Sequence, residues 1–259
     1  MYADAMMDLD DKVGKLLKKV DDLGIADNTI VLFTSDNGAE VFTWPDGGNT
    51  PFRGEKGTTY EGGFRAPMLV KWPGAIKPGT IYNDIMSAED WMPTLVAAGG
   101  DPKVTEKLLK GGHKANGKKF RNHLDGYNFM PYFKGEVAEG PRKDFFYWSD
   151  SGDLMAVRYN AWKVSFKTIE GNLFTGYEHQ SNVPVMTNLR ADPWERYQKE
   201  SMLYGKWWGQ KLWTVVPAGA VTAQYLQTFK DYPPSQKVGS FNVNAMMDNL
   251  NDFLTSMRK

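Results

Sequence analysis

The sequence contains no cysteine, has only 3 histidines in 259 residues, and carries no excess of charge, with Lys+Arg and Asp+Glu both at 31. The missing cysteine rules out disulfides and thiolate chemistry, although it leaves the compartment open. With no thiolate and no histidine pair spaced i, i+4, a zinc site is not expected. Charge balance removes the electrostatic footprint that nucleic acid or an anionic bilayer would need, so neither is an expected partner. No apolar run is long enough for a membrane span. The opening Met1-Tyr2-Ala3-Asp4-Ala5 has neither the basic nor the apolar region of a signal peptide, and the sequence gives no localisation.

The remaining composition is that of an ordinary globular chain, 41% hydrophobic and 24% charged, and the length suffices for one large domain or two modest ones. The 9 Trp, 12 Tyr and 14 Phe are expected mainly in core packing. Apolar residues at Met6, Leu9, Val13, Leu16, Leu17, Val20 and Leu23 form a single stripe of helical period that stops at Gly24. Asp27-Asn28 then turns the chain into Thr29 to Thr34, a continuous apolar run that predicts a strand buried on both faces. Helix, turn and strand make the αβ half of a βαβ unit. A parallel neighbour would come from elsewhere in the chain or from outside it.

Further along, Met68 to Trp72 predicts a second strand, and Ser87-Ala88-Glu89-Asp90 a capping box opening a helix to about Ala98. Gly111 to Gly126 is polar and basic, and is expected to be an exposed loop with His113 and His123 solvated; His179 falls in a turn-rich stretch. From Lys143 the period changes to two. Strands are predicted over Phe145 to Trp148, Leu154 to Tyr159 and Trp162 to Phe166, with Asn160-Ala161 as a turn, and again over Pro184 to Leu189. Asn242 to Met257 returns to helical period. The fold class is therefore α/β over residues 1–140, followed by a small α+β domain over residues 141–259 with an antiparallel sheet and a terminal helix.

Asp36-Asn37-Gly38 sets a carboxylate and an amide side by side where the first strand ends. Ligands gather at the carboxyl ends of strands in open α/β sheets, and two hard oxygens suit a divalent cation. The same tripeptide is also good turn chemistry, so both readings stand. The following segment, with Gly54, Gly57, Gly62 and Gly63, would let backbone approach an anion, with Arg53 and Lys56 supplying charge. It matches no nucleotide-binding fingerprint, and on that ground an exposed flexible loop is the expectation.

Taken in order, Ile30 to Gly38, Arg53-Gly54-Glu55-Lys56-Gly57-Thr58-Thr59-Tyr60-Glu61-Gly62-Gly63-Phe64-Arg65-Ala66-Pro67, Trp72-Pro73-Gly74, Asp90-Trp91-Met92-Pro93-Thr94-Leu95, Leu124-Asp125-Gly126, Ala156 to Lys163 and Asn188 to Pro193 resemble the second half of an arylsulfatase-type sulfatase. The resemblance implies part of the alkaline-phosphatase-like sulfatase layer and a sulfuric ester hydrolase acting on a sulfate ester. It implies that Asp36 and Asn37 bind a calcium ion (alternatively magnesium) and that Asp36 also helps to activate the nucleophile. Lys56 would contact the sulfate and neutralise its charge, whereas Glu61 and Arg65 would hold the loop in shape.

The formylglycine nucleophile of that family, made from a Cys/Ser-x-Pro-x-Arg motif, is not encoded; the nearest string, Asn49-Thr50-Pro51-Phe52-Arg53, begins with asparagine. The resemblance thus implies a C-terminal portion, inactive as this chain alone, that either self-associates or meets a complementing N-terminal half. A non-catalytic sulfatase-like binding module and a phosphohydrolase of the same superfamily are the alternatives.

Overall fold

A computed structural model describes residues 1–47, 49–234, 254 and 257. The chain divides into two compact units, residues 1–50 with 65–145 and residues 51–64 with 146–259.

The first unit opens with α1 (Tyr2–Asp22), where the apolar stripe placed it. Gly24 follows at φ +66° and its N–H donates to the Asp21 carbonyl at 2.9 Å, the left-handed stop that glycine allows. No residue of α1 is buried. Strand β1 (Val31–Thr34) pairs antiparallel with β2 (Met68–Lys71), Val31 opposite Lys71 and Thr34 opposite Met68. The expectation of a strand buried on both faces fails here: Leu32 and Phe33 are 38% and 37% exposed. A two-stranded ribbon has too little neighbouring surface to cover both faces.

The core of this unit lies under β2, where Trp72, Trp91, Phe129 and Phe133 are buried against Ile30, Met68 and Val70. Trp91 and its neighbours belong to α2 (Trp91–Ala98). Its approach is a short 3₁₀ turn held by the expected capping box, with the Ser87 N–H donating to Asp90 Oδ2 at 2.8 Å. Asp90 is fully buried and its carboxylate is fully used, accepting the Tyr127 N–H at 2.7 Å and both Nε and Nη2 of Arg142 at 2.8 and 2.7 Å. Such bidentate pairing is what permits a charge to sit in a core.

After α3 (Val104–Lys110), the stretch expected to be an open loop forms a hairpin of β3 (His113–Ala115) and β4 (Lys118–Phe120). Its turn is Asn116-Gly117 at φ +47° and +74°, the two left-handed positions that this dipeptide favours. His123 is not simply solvated either: Nδ1 lies 2.9 Å from Asp125 Oδ1.

In the second unit β5 (Asp144–Trp148), β6 (Leu154–Tyr159), β7 (Trp162–Glu170) and β8 (Tyr177–Asn188) follow one another in a four-stranded sheet, in sequence order. Asn160, at φ +52°, turns β6 into β7 with Tyr159 opposite Trp162. β8 begins at Tyr177 rather than Pro184, because Glu170 to Lys167 of β7 supply backbone partners for residues 177 to 180. His179 therefore lies in a strand, exposed.

The sheet is covered by α4 (Tyr204–Lys211) and α5 (Val215–Asp231), with Ala218 packing on Val157, Val164 and Met186 and with Phe146 stacked on Tyr225 at 3.9 Å between centroids. The predicted helix over Asn242 to Met257 lies outside the described residues, apart from Leu254 and Met257. The α/β fold class, with an antiparallel sheet in its later part, holds. Among the described residues no helix is long and apolar enough to cross a membrane.

Candidate functional site

Asp36 and Asn37 leave the C-terminal end of β1 in the first unit. Asp36 is exposed, and its carboxylate has no hydrogen-bond or ion-pair partner among the described residues. Asn37 is half-buried, and its Nδ2 donates to the Gly38 carbonyl at 2.8 Å. That bond leaves the amide oxygen as an acceptor. The pair thus offers three uncommitted hard oxygens, two from the carboxylate and one from the amide, the donor chemistry of calcium or magnesium, but fewer than the six to eight that calcium takes. Among the described residues no group of three or more acidic or histidine side chains converges to complete such a set.

Lys56 belongs to the second unit. It sits half-buried in the tight turn Glu55-Lys56-Gly57-Thr58, closed by the Thr58 N–H donating to the Glu55 carbonyl at 2.9 Å. Gly57 has φ +84°, the value that the third position of a type II turn needs and that a side chain would strain. The Thr58 hydroxyl locks the turn further, accepting the Glu55 N–H at 3.1 Å and donating to the Glu55 carbonyl at 2.7 Å. The backbone of the lysine is therefore fixed before any ligand arrives.

The segment that carries this turn is not the exposed loop its glycine content suggests, since residues 58–63 are all buried. Gly62 is required there because a Cβ would meet the Gly54 carbonyl oxygen at 2.3 Å. Glu61 pins the segment to the sheet. One of its carboxylate oxygens accepts the Tyr147 hydroxyl at 2.6 Å and lies 3.3 Å from Lys163 Nζ, and the other is 3.6 Å from Arg158. Lys163 also reaches the Thr59 carbonyl at 2.8 Å and Glu195 at 2.9 Å, and Glu195 in turn accepts the Glu61 N–H at 2.7 Å.

The electrostatics of this cluster follow from its dryness. Burial pushes the Glu195 carboxyl above its ordinary range, Lys163 pulls it back and Glu61 adds to the rise. Burial, with the Glu61 carboxylate beside it, holds the Tyr147 hydroxyl well above the usual tyrosine range, so it stays a donor.

Sequence reasoning placed Glu61 in a supporting role but missed Lys163, Glu195 and the part played by Arg53. Arg53 donates to the Glu195 carbonyl at 2.9 Å, lies 3.2 Å from Glu170 and stacks on Tyr60 at 3.9 Å from its centroid. No local signal marked Lys163, which alternates with the apolar Trp162, Val164 and Phe166 and so reads as lying on the polar side of its strand. Arg65 belongs to the first unit and is half-buried.

Comparison with known proteins relates these residues to a family. Residues 1–100, which include Asp36, Asn37 and Lys56, match the family model described as Sulfatase. The chain is 31% identical over 218 residues to human N-acetylgalactosamine-6-sulfatase and 34% identical over 214 residues to human arylsulfatase A. Each alignment covers 76% of this chain and 38% of the relative.

Among solved structures, a sulfatase from Pseudoalteromonas sp. matches with a TM-score of 0.70 at 29% identity, over 90% of this chain and 44% of that one. Another, Ps i-CgsB in complex with k-i-k-neocarrahexaose, matches with a TM-score of 0.60 at 26% identity, over 95% and 45% of the two chains. The chain is thus similar to the sulfatases, with the family match over residues 1–100, and it spans less than half the length of these relatives.

Proposed function

We propose that this chain supplies part of the active site of a sulfuric ester hydrolase of the arylsulfatase type. The observation that carries the reading is that the span matching the sulfatase family contains Asp36, Asn37 and Lys56. Asp36 and Asn37 would hold a divalent metal, calcium by preference and magnesium as the alternative, which would supply charge stabilisation to a sulfate group. Lys56, its backbone set by the Gly57 turn, binds a sulfate oxygen and offsets the charge that builds there as sulfur is attacked. No nucleophile is assigned among these residues, and the chain alone is expected to bind without turnover.

Calorimetric titration of the whole chain tests this reading, with calcium, then magnesium, then 4-nitrophenyl sulfate in the presence of metal. Asp36→Ala and Asn37→Ala should each abolish the metal heat, and Lys56→Ala should abolish sulfate-ester binding while leaving metal binding intact. Metal binding unchanged in Asp36→Ala, or ester binding unchanged in Lys56→Ala, refutes the assignment. Turnover by the chain alone would show that the nucleophile had been overlooked.

We also propose that α1 and β1 are covered in solution by a second copy or a complementing N-terminal half. The support is that α1 is amphipathic and yet has no buried residue.

A further inference from the structure

The second unit holds a cavity of about 520 Å³ between the end of β8 and the start of α4, lined by Trp194, Tyr197 and Trp207 together with polar side chains. Trp194 is 46% exposed, a large cost in apolar surface for a residue that only fills space. Tyr197 meets Trp207 edge to face at 5.6 Å, and Trp207 stacks on Trp162 at 5.9 Å, so the aromatic wall is rigid before a ligand binds. Two polar groups of the lining are uncommitted: among the described residues neither the Gln198 amide nor the Trp207 indole N–H has a hydrogen-bond partner, whereas the indole N–H of neighbouring Trp208 donates to the Pro184 carbonyl at 2.9 Å.

The charged groups of the lining say what does not bind. Arg196 is paired with Glu200 at 2.7 Å, and Asp192 accepts the Arg196 and Tyr197 N–H groups at 3.1 and 2.9 Å. Two carboxylates face one guanidinium already taken, so a sulfate or phosphate group would meet net negative charge and no free cation. A ligand with apolar faces, several hydroxyls and no charge fits both the aromatic wall and the free amide. That chemistry is an unsulfated sugar ring. We propose that this cavity is a binding subsite for an uncharged sugar residue of a glycan. It goes beyond the sulfate reading of Lys56 and does not depend on it.

The test titrates the whole chain with a neutral agarose-derived hexasaccharide, followed by calorimetry and by saturation-transfer NMR, with sulfated neocarrahexaose as the comparison. The neutral hexasaccharide should bind at millimolar concentration or below, and in the Lys56→Ala background no more weakly than the sulfated one. Trp194→Ala should weaken it by about tenfold, the loss expected for one aromatic face. Gln198→Ala should weaken it too, and serves as the arbiter if Trp194→Ala fails to fold. Lys56→Ala should leave it unchanged. No saturation transfer from the neutral sugar at millimolar concentration overturns the proposal, as does affinity unaffected by both lining variants, or binding that requires a sulfate group and Lys56.

Discussion

Lys163 Nζ lies 2.9 Å from Glu195 Oε1 with side chains only 1% and 4% exposed, and the same ammonium is 3.3 Å from Glu61. One cation thus serves two buried carboxylates. Lys163→Met would leave Glu195 without its charge partner and Glu61 with Arg158 at 3.6 Å, and removing one member of such a group costs about 3–5 kcal/mol. Urea unfolding should show that loss. The triple variant Lys163→Met, Glu61→Gln, Glu195→Gln should recover much of it, because the stranded charges are then gone. If Lys163→Met unfolds at the same urea concentration as the wild type, the cluster does not hold the segment.

The raised pKa of Glu195, caused first by burial and only partly opposed by Lys163, has a direct consequence for pH dependence. Its unfolded value is 4.5, so between that pH and the higher folded value the native state holds a proton that the unfolded chain has released. The contribution of this group to stability is complete below the unfolded value and is lost as pH rises through the folded one. Glu89 shifts in the same direction, from burial opposed by Arg142. Melting temperatures across a pH series should therefore show the wild type losing stability relative to Glu195→Gln as pH increases above 4.5. Parallel curves for the two proteins would contradict the shift.

Two glycine substitutions should act in opposite directions. A Cβ at Gly126 would lie 2.1 Å from the Glu89 carbonyl oxygen and 3.1 Å from Pro93. Gly126→Ala is expected to cost at least ~1–3 kcal/mol through forced backbone movement beside the Asp90 cap. Gly14, inside α1, has nothing within 4 Å of a Cβ, and Gly14→Ala should stabilise that helix by about 0.5–1 kcal/mol. Thermal melts of the two variants separate the effects.

The exposed stripe of α1 predicts association. Leu16 is 69% exposed on that stripe. Sedimentation velocity of the wild type should show a weight-average coefficient that rises with concentration. Leu16→Glu, which puts a charge on the same face, should flatten that rise. A concentration-independent monomer in the wild type would contradict the proposal that this face is covered.

Where structure is local, the sequence was sufficient. The stripe from Met6 to Leu23 and the glycine after it set α1, Ser87 and Asp90 cap the approach to α2, and alternation from Phe145 onward marks the strands of the second unit. Even the missed hairpin had its signal, Asn116-Gly117, which a basic, polar context obscured. The order of short motifs from Ile30 to Pro193 was enough to point to the sulfatases.

Only tertiary structure decided that residues 51–64 belong with the later sheet, and that Glu61 meets Lys163, 102 positions away, to hold them there. Helical and strand periods are properties of neighbouring residues and can be read one window at a time. A buried charge, by contrast, is tolerable only when a partner arrives from elsewhere in the chain, and no window of sequence says which partner that will be. The glycines of residues 54–63 illustrate the difference: as composition they read as a flexible loop, and as packed backbone they allow the close approach that a Cβ would prevent.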